Sequence, residues 1–193
     1  MPLVQIFQKE LPPDKIQAFK FALWIGMASI IMFFAAITSA YLVRKPVGNW
    51  YEFKLPVEFF YSTILIVVSS FFMELTYKAL KKGNKNVYQY GMLASMSFGV
   101  LFIVMQIIAW KAMVATGLFI DLNVSVSFLY VISGFHALHV LGGLVVLLVS
   151  TINAFWQDFT TGPWRVLKLD LTRQYWHFVG ILWIYLLVFL ILQ

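Results

Sequence analysis

The chain has 193 residues, of which 62% are hydrophobic and 11% charged, with 14 Lys+Arg against 8 Asp+Glu and a net charge of +6. Soluble domains average about 45–50% apolar and about 25% charged residues, so most of this surface must meet lipid rather than water. The lack of any cysteine excludes a disulfide scaffold, a thiolate metal site and a catalytic thiol, and in a lipid-immersed chain the basic excess reports topology rather than a nucleic-acid partner.

A bilayer core about 30 Å thick takes roughly 20 apolar residues of helix. Five stretches meet that length: Phe19–Val43, Phe59–Leu80, Tyr88–Met113, Val124–Phe155 and Gln174–Leu192. In lipid every backbone polar group must be satisfied internally, and the runs do not alternate as barrel strands do, so all five are read as helices. The expected fold is an all-α, polytopic bundle of five transmembrane helices forming one membrane domain over residues 1–193. The stretch Met1–Ala18 lacks the basic start and small-residue cleavage site of a secretory signal. It is read as a cytoplasmic N-terminal segment ahead of an uncleaved first helix.

The connections are short. Arg44–Val57 carries Pro46, Gly48, Asn49 and Pro56, with Glu58 placed to meet the positive end of the second helix. Lys81–Val87 is a basic Gly/Asn turn, and Asp121 or Asn123 caps the fourth helix. Gln157–Arg173 is the longest link, with Thr160-Thr161-Gly162-Pro163 as a turn signal. This alternation puts ten basic residues on one face: Lys9, Lys15, Lys20, Lys78, Lys81, Lys82, Lys85, Arg165, Lys168 and Arg173. The other four of the 14, Arg44, Lys45, Lys54 and Lys111, lie opposite. The positive-inside rule then sets the N-terminus in the cytoplasm and the C-terminus outside. Trp50, Tyr51, Trp110, Trp156, Trp164 and Trp176 fall near the helix ends, where aromatic belts form.

Ionisable groups at membrane depth are few. Glu74 has Lys78 four residues on, which makes an i, i+4 pair near the cytoplasmic end, with a proton-handling carboxylate as the alternative reading. His136 and His139 share a face of the fourth helix, and His177 lies on the fifth. A fifth helix beginning at Gln174 puts His177 about 6 Å from its end, whereas His139 is about 24–28 Å from the matching end of the fourth helix. That offset of roughly 18 Å argues against a shared metal, whose bonds are about 2 Å long. The histidines are therefore read as hydrogen-bonded packing residues. Gly91, Ser95 and Gly99 on the third helix, and Gly134, Ala137, Gly142 and Gly143 on the fourth, form stripes that let backbones approach. Replacing Gly99 or Gly142 by Leu is accordingly expected to weaken assembly. There is no phosphate-binding loop, no buried carboxylate pair, no Ser/His/Asp arrangement and no helix broken at mid-membrane.

The run Gly134-Phe135-His136-Ala137-Leu138-His139-Val140-Leu141-Gly142-Gly143, followed by Tyr175-Trp176-His177-Phe178-Val179, resembles subunit III of haem-copper cytochrome c oxidases. Leu55-Pro56, Ser62-Thr63, Ser69-Ser70, Ala79-Leu80, Gly99 and Gln106 extend the resemblance over nearly the whole chain, in the five-helix bacterial form. The resemblance implies an accessory subunit of the bacterial cytoplasmic (inner) membrane with no haem, no copper and no catalytic, cofactor or metal site of its own. It implies packing on subunit I, binding of membrane phospholipids, and support of proton uptake and of subunit I durability. Haem and copper are expected in partner subunits, where cytochrome c or a quinol is oxidised while oxygen is reduced and protons are pumped.

Within that resemblance Gly134, His136, His139, Gly142, Tyr175, Trp176 and His177 read as motif packing residues. Gly91, Ser95, Gly99 and Gln106 read as helix or subunit interface, and Arg165, Arg173 and Trp176 as headgroup contacts. Three places where the family commonly carries an acid hold Ile30, Ala109 and Gly180 instead. Any role resting on those acids does not transfer. Two other readings remain open: a haem-anchoring subunit of another respiratory complex, with His136 or His139 as axial ligand, and a small transporter.

Overall fold

The computed structural model describes residues 12–193. Lys9 and the rest of Met1–Leu11, which carry most of the expected N-terminal segment, lie outside the described residues. Five helices follow: α1 Pro13–Arg44, α2 Glu58–Lys81, α3 Lys85–Ala115, α4 Val124–Trp156 and α5 Pro163–Leu192. All five are long and apolar enough to cross a membrane, and the chain is a multi-pass membrane protein.

Local chemistry sets the ends. Pro13 occupies the first turn of α1 beside Asp14, where a missing N–H costs nothing and an acid meets the helix dipole. Asn84 caps α3 by accepting from the Val87 N–H at 3.2 Å. Asn123, rather than Asp121, caps α4, accepting from Ser125 at 3.0 Å. Gly48 and Asn49 adopt positive φ and turn the chain into the link before α2. That link is tied to the head of α4, where Asn123 Nδ2 donates to Asn49 O at 3.0 Å and Ser125 Oγ to Tyr51 O at 2.8 Å.

The largest departure from expectation is α5. It starts at Pro163, eleven residues before Gln174, directly behind the Gly162 cap. The added turns include Arg165 and Lys168 and are too polar to register as a lipid-immersed run. They nonetheless pack against the bundle, burying Leu167, Leu169, Asp170 and Thr172. α1 likewise starts six residues before Phe19. At about 1.5 Å per residue the 32, 33 and 30 residues of α1, α4 and α5 span about 45–50 Å, well beyond the bilayer core.

Successive helices run antiparallel. α2 and α3 form the most extensive contact, α3 packs on α4, α4 on α5, and α5 closes back on α2. The core of this four-helix ring holds Ile66, Met73, Met92, Phe102, Ile132, Val140, Trp176 and Trp183, all 0% exposed. α1 lies outside the ring against α4 and α5. Only 11% of its most apolar stretch is buried, against 44% for α4 and for α5. Around the bundle the exposed surface is Phe, Leu, Ile and Val, including Phe21, Trp24, Met32, Leu138 and Val145. In water such a surface would aggregate; in lipid it is the solvated face.

The early start of α5 is open to measurement. Amide hydrogen exchange on the detergent-solubilised chain is expected to show residues 167–174 protected like the helix interior. Exchange at loop rates there would return the start of α5 to Gln174.

Candidate functional site

The small-residue stripe of α3 faces inward. At Gly91 a Cβ would stand 2.5 Å from Thr76 Oγ1 of α2. At Ser95 the two helices cross-bond: Ser69 Oγ donates to Ser95 O at 2.7 Å, and Ser95 Oγ donates to Ser69 O at 3.1 Å. At Gly99 a Cβ would lie 2.8 Å from both Leu144 and the Trp176 ring. The opposite wall is Gly143 of α4, where a Cβ would approach Trp176 to 3.0 Å. Trp176 of α5 thus fills a slot that glycine leaves between α3 and α4, and its Nε1 donates to Ser69 Oγ on α2 at 2.9 Å. One side chain ties four helices.

This placement corrects the headgroup assignment of Trp176. The residue is 0% exposed because α5 begins thirteen residues before it, not two. The α4 stripe also divides. Ala137 and Gly143 are buried, whereas Gly134 and Gly142 face outward with nothing within 4 Å of a built Cβ. Tyr175 is half-buried beside Gly143, and its hydroxyl donates to His139 O at 3.0 Å.

A second polar layer lies towards the start of α2. Gln106 Nε2 donates to Ser62 Oγ at 3.3 Å, Trp183 Nε1 to Thr63 Oγ1 at 2.9 Å, and Trp110 Nε1 to Ser133 Oγ at 3.0 Å. Each indole N–H meets a hydroxyl on another helix, as buried donors require. His136 stacks on Trp183 with centroids 5.0 Å apart.

The histidines depart from expectation in two ways. Trp176 meets Gly143 while Trp183 meets His136, which fixes the antiparallel register of α4 and α5. In that register His139 is level with Gly180, so His177 is only three residues, or about 4.5 Å, away along the axis. The 18 Å depth offset does not hold. Direction separates the rings instead: His139 faces Phe33 and Phe34 of α1, whereas His177 faces Glu74 of α2. Hydrogen bonding is uneven too. His139 Nδ1 bonds Phe135 O at 2.7 Å and His177 Nε2 lies 3.5 Å from Glu74, but neither ring nitrogen of His136 has a partner.

The charged residues form a cluster that sequence reasoning missed. Arg173 bridges two carboxylates, donating to Glu74 Oε2 at 2.9 Å and to Asp170 Oδ1 at 2.8 Å, with its guanidinium 4.0 Å over the Tyr77 ring. Lys78 stands 3.7 Å from Glu74, and Lys20 of α1 stands 3.5 Å from Asp170. Gln174 Nε2 donates to Asp170 Oδ2 at 3.0 Å. Glu74 is therefore more than one half of an i, i+4 pair: Arg173 links it to Asp170 across α2 and α5. Asp170 escaped notice because its turn of helix was read as loop. Its i, i+3 spacing from Leu167 was the available signal. Arg173 points into this cluster, which corrects its headgroup assignment. Arg165 sits at the head of α5 and donates to Gln157 Oε1 at 3.2 Å.

Ile30 packs on the core, Ala109 is 0% exposed, and a Cβ at Gly180 would meet Ser70 Oγ at 3.3 Å. Among the described residues no group of three or more His, Asp or Glu is arranged to hold a metal ion.

The fold and site define a class: a polytopic helical membrane subunit whose polar side chains join helix to helix. The chain belongs to the cytochrome c oxidase subunit III family, whose model matches residues 14–192. A probable cytochrome c oxidase subunit 3 from Nocardia farcinica is 31% identical over 168 residues, covering 83% of this chain and 80% of that protein. Its counterpart from Mycobacterium tuberculosis is 26% identical over 165 residues, covering 83% and 80%. A haem-copper oxidase subunit I+III from Aeropyrum pernix is 26% identical over 182 residues, covering 89% of this chain and 22% of that longer protein.

Two sets of variants test the slot and the cluster. Trp176→Ala and Gly99→Leu are each expected to destabilise the bundle strongly, the first by about 3–5 kcal/mol. Gly142→Leu should leave the chain's own stability within about 0.5 kcal/mol of the parent, as expected of an open surface position. Thermal unfolding in detergent separates them. Arg173→Met, which takes from Glu74 and Asp170 the nearest cation of each, should cost more than Lys78→Met, whose exposed pair is worth about 0.2–1 kcal/mol.

Proposed function

We propose that this chain serves its haem-copper oxidase as a cofactor-free accessory subunit that packs on subunit I, binds membrane lipid, and supports proton uptake and the durability of subunit I. The observation that carries the reading is the use of the interior: the slot, the second polar layer and the ion cluster all join helix to helix. The outward surface supports it as well. Gly134 and Gly142 open outward on α4, and α1 is thinly covered by its own chain, so apolar surface remains for a large neighbour. The relative named subunit I+III makes subunit I the natural candidate for that neighbour. The electron transfer and proton pumping belong to the partner subunits, with cytochrome c or a quinol as donor.

The proposed orientation keeps the basic end in the cytoplasm. Among the described residues Lys15, Lys20, Lys78, Lys81, Lys82, Lys85, Arg165, Lys168 and Arg173 gather at one end of the bundle, against Arg44, Lys45, Lys54 and Lys111 at the other. Of the three headgroup candidates Arg165 remains, together with Lys168, whose Nζ lies 5.1 Å from the Trp164 ring at the start of α5.

A tagged copy purified under mild detergent is expected to bring down a polypeptide with haem and copper absorption, while the separated chain shows none. A Soret band in the pure chain that His139→Ala abolishes would instead support a haem anchor. Since the chain has no cysteine, single cysteines can report topology. A cysteine replacing Lys82 is expected to resist an impermeant thiol reagent applied outside intact cells, and one replacing Lys54 to react. The reverse pattern would invert the orientation.

A further inference from the structure

The second polar layer contains two groups that the bundle buries without satisfying. His136 is 0% exposed, and both of its ring nitrogens lack a hydrogen-bond partner. A neutral imidazole has one donor and one acceptor, so this is a double deficit in a region with no bulk water. Gln106, also 0% exposed, has its Oε1 unpartnered. The amide orientation is fixed by its neighbour. Ser62 Oγ donates its proton to Phe59 O at 2.8 Å, so it can only accept from Gln106, and the amide nitrogen must face it. The carbonyl oxygen is left over.

The two deficits lie in one layer. Phe102 of α3 sits 5.9 Å from the His136 ring, and Trp110 of α3 bonds Ser133 at 3.0 Å. These antiparallel contacts bracket Gln106, which lies midway between Phe102 and Trp110 on the buried face of α3. It is therefore opposite the turn of α4 that runs from Ser133 to His136. The ring cannot swing to close the gap freely. It is stacked on Trp183 at 5.0 Å and edged by Phe34 at 6.3 Å and Phe102.

We propose that one internal water sits between His136 and Gln106 in the bundle core, donating to Gln106 Oε1 and bonding one of the two imidazole nitrogens. Polar partners on two sides are what an interior water needs, and Phe102, Phe34 and Trp183 hold the imidazole in place beside it. His136 is then a water ligand and not the directly bonded packing residue that its motif suggests. Ser62, by fixing the amide, is a positioning residue for the same water.

The direct test is a density map of the complex that a tagged copy brings down, fine enough to show ordered waters. Density within hydrogen-bond distance of both His136 and Gln106 Oε1 is expected. A direct bond between the two side chains, or no density between them, overturns the proposal. An independent test compares His136→Phe, Gln106→Met and the double variant in the same complex by thermal midpoint. Each single change should lower the midpoint by stranding the other partner, and the double should fall no further than the worse single. Additive losses, or no loss in either single variant, also overturn it. The map uses the unaltered protein, so the question is decided even if a variant does not assemble.

Discussion

The fit of Trp176 between Gly99 and Gly143 is the contact on which the bundle turns. In lipid the apolar driving force that folds soluble domains is absent between helices, because a leucine gains little by leaving hydrocarbon for protein. Close packing and hydrogen bonds must supply the association. The slot provides both at one point. Two glycines remove the side chains that would hold α3 and α4 apart, the indole fills the space, and its N–H finds Ser69 on α2. The reciprocal serine bonds beside it bring α2 and α3 together along the same line. The second layer repeats the arrangement with Trp183 on Thr63 and Trp110 on Ser133.

Electrostatics play a narrower part, at the end of the bundle where α5 extends past the lipid-like stretch of its sequence. Arg173 is held by carboxylates from its own helix and from α2, and Lys20 adds α1 to the same group. α1 has little packing of its own, so such polar clasps matter to it. Near the cluster Trp24 Nε1 donates to Gln174 Oε1 at 3.2 Å, and further along Thr38 shares a hydrogen bond of 3.2 Å with Tyr185. The first helix is fastened at separated points, not zipped along its length.

Hydropathy made the five helices and their order legible, because a run of twenty apolar residues has no other stable form in lipid. It could not mark their ends, since it records where lipid begins and not where helical hydrogen bonding stops. That distinction produced the errors at α5. Hydropathy alone places Asp170 in a loop, Trp176 and Arg173 at the headgroups, and His177 about 18 Å from the level of His139, whereas the helix begins at Pro163. A finer limit shows at Gly142 and Gly143, adjacent residues turned about 100° from each other on the helix. One opens outward and the other forms the slot, and no stripe in a sequence says which. The Gly91, Ser95 and Gly99 face was readable because all three residues share a spacing of four. The unpartnered nitrogens of His136 were not readable, since they depend on which neighbours three other helices present.

The glycine slot also bears on how such a chain can change over generations. Positions 99, 143 and 176 share one volume, so a larger residue at either glycine is tolerable only alongside a smaller one in place of the indole. Giving up the indole in turn removes a donor from Ser69. Drift at these sites is therefore expected in concert, through intermediates that fit poorly, and the trio should change far more slowly than the greasy exterior around it.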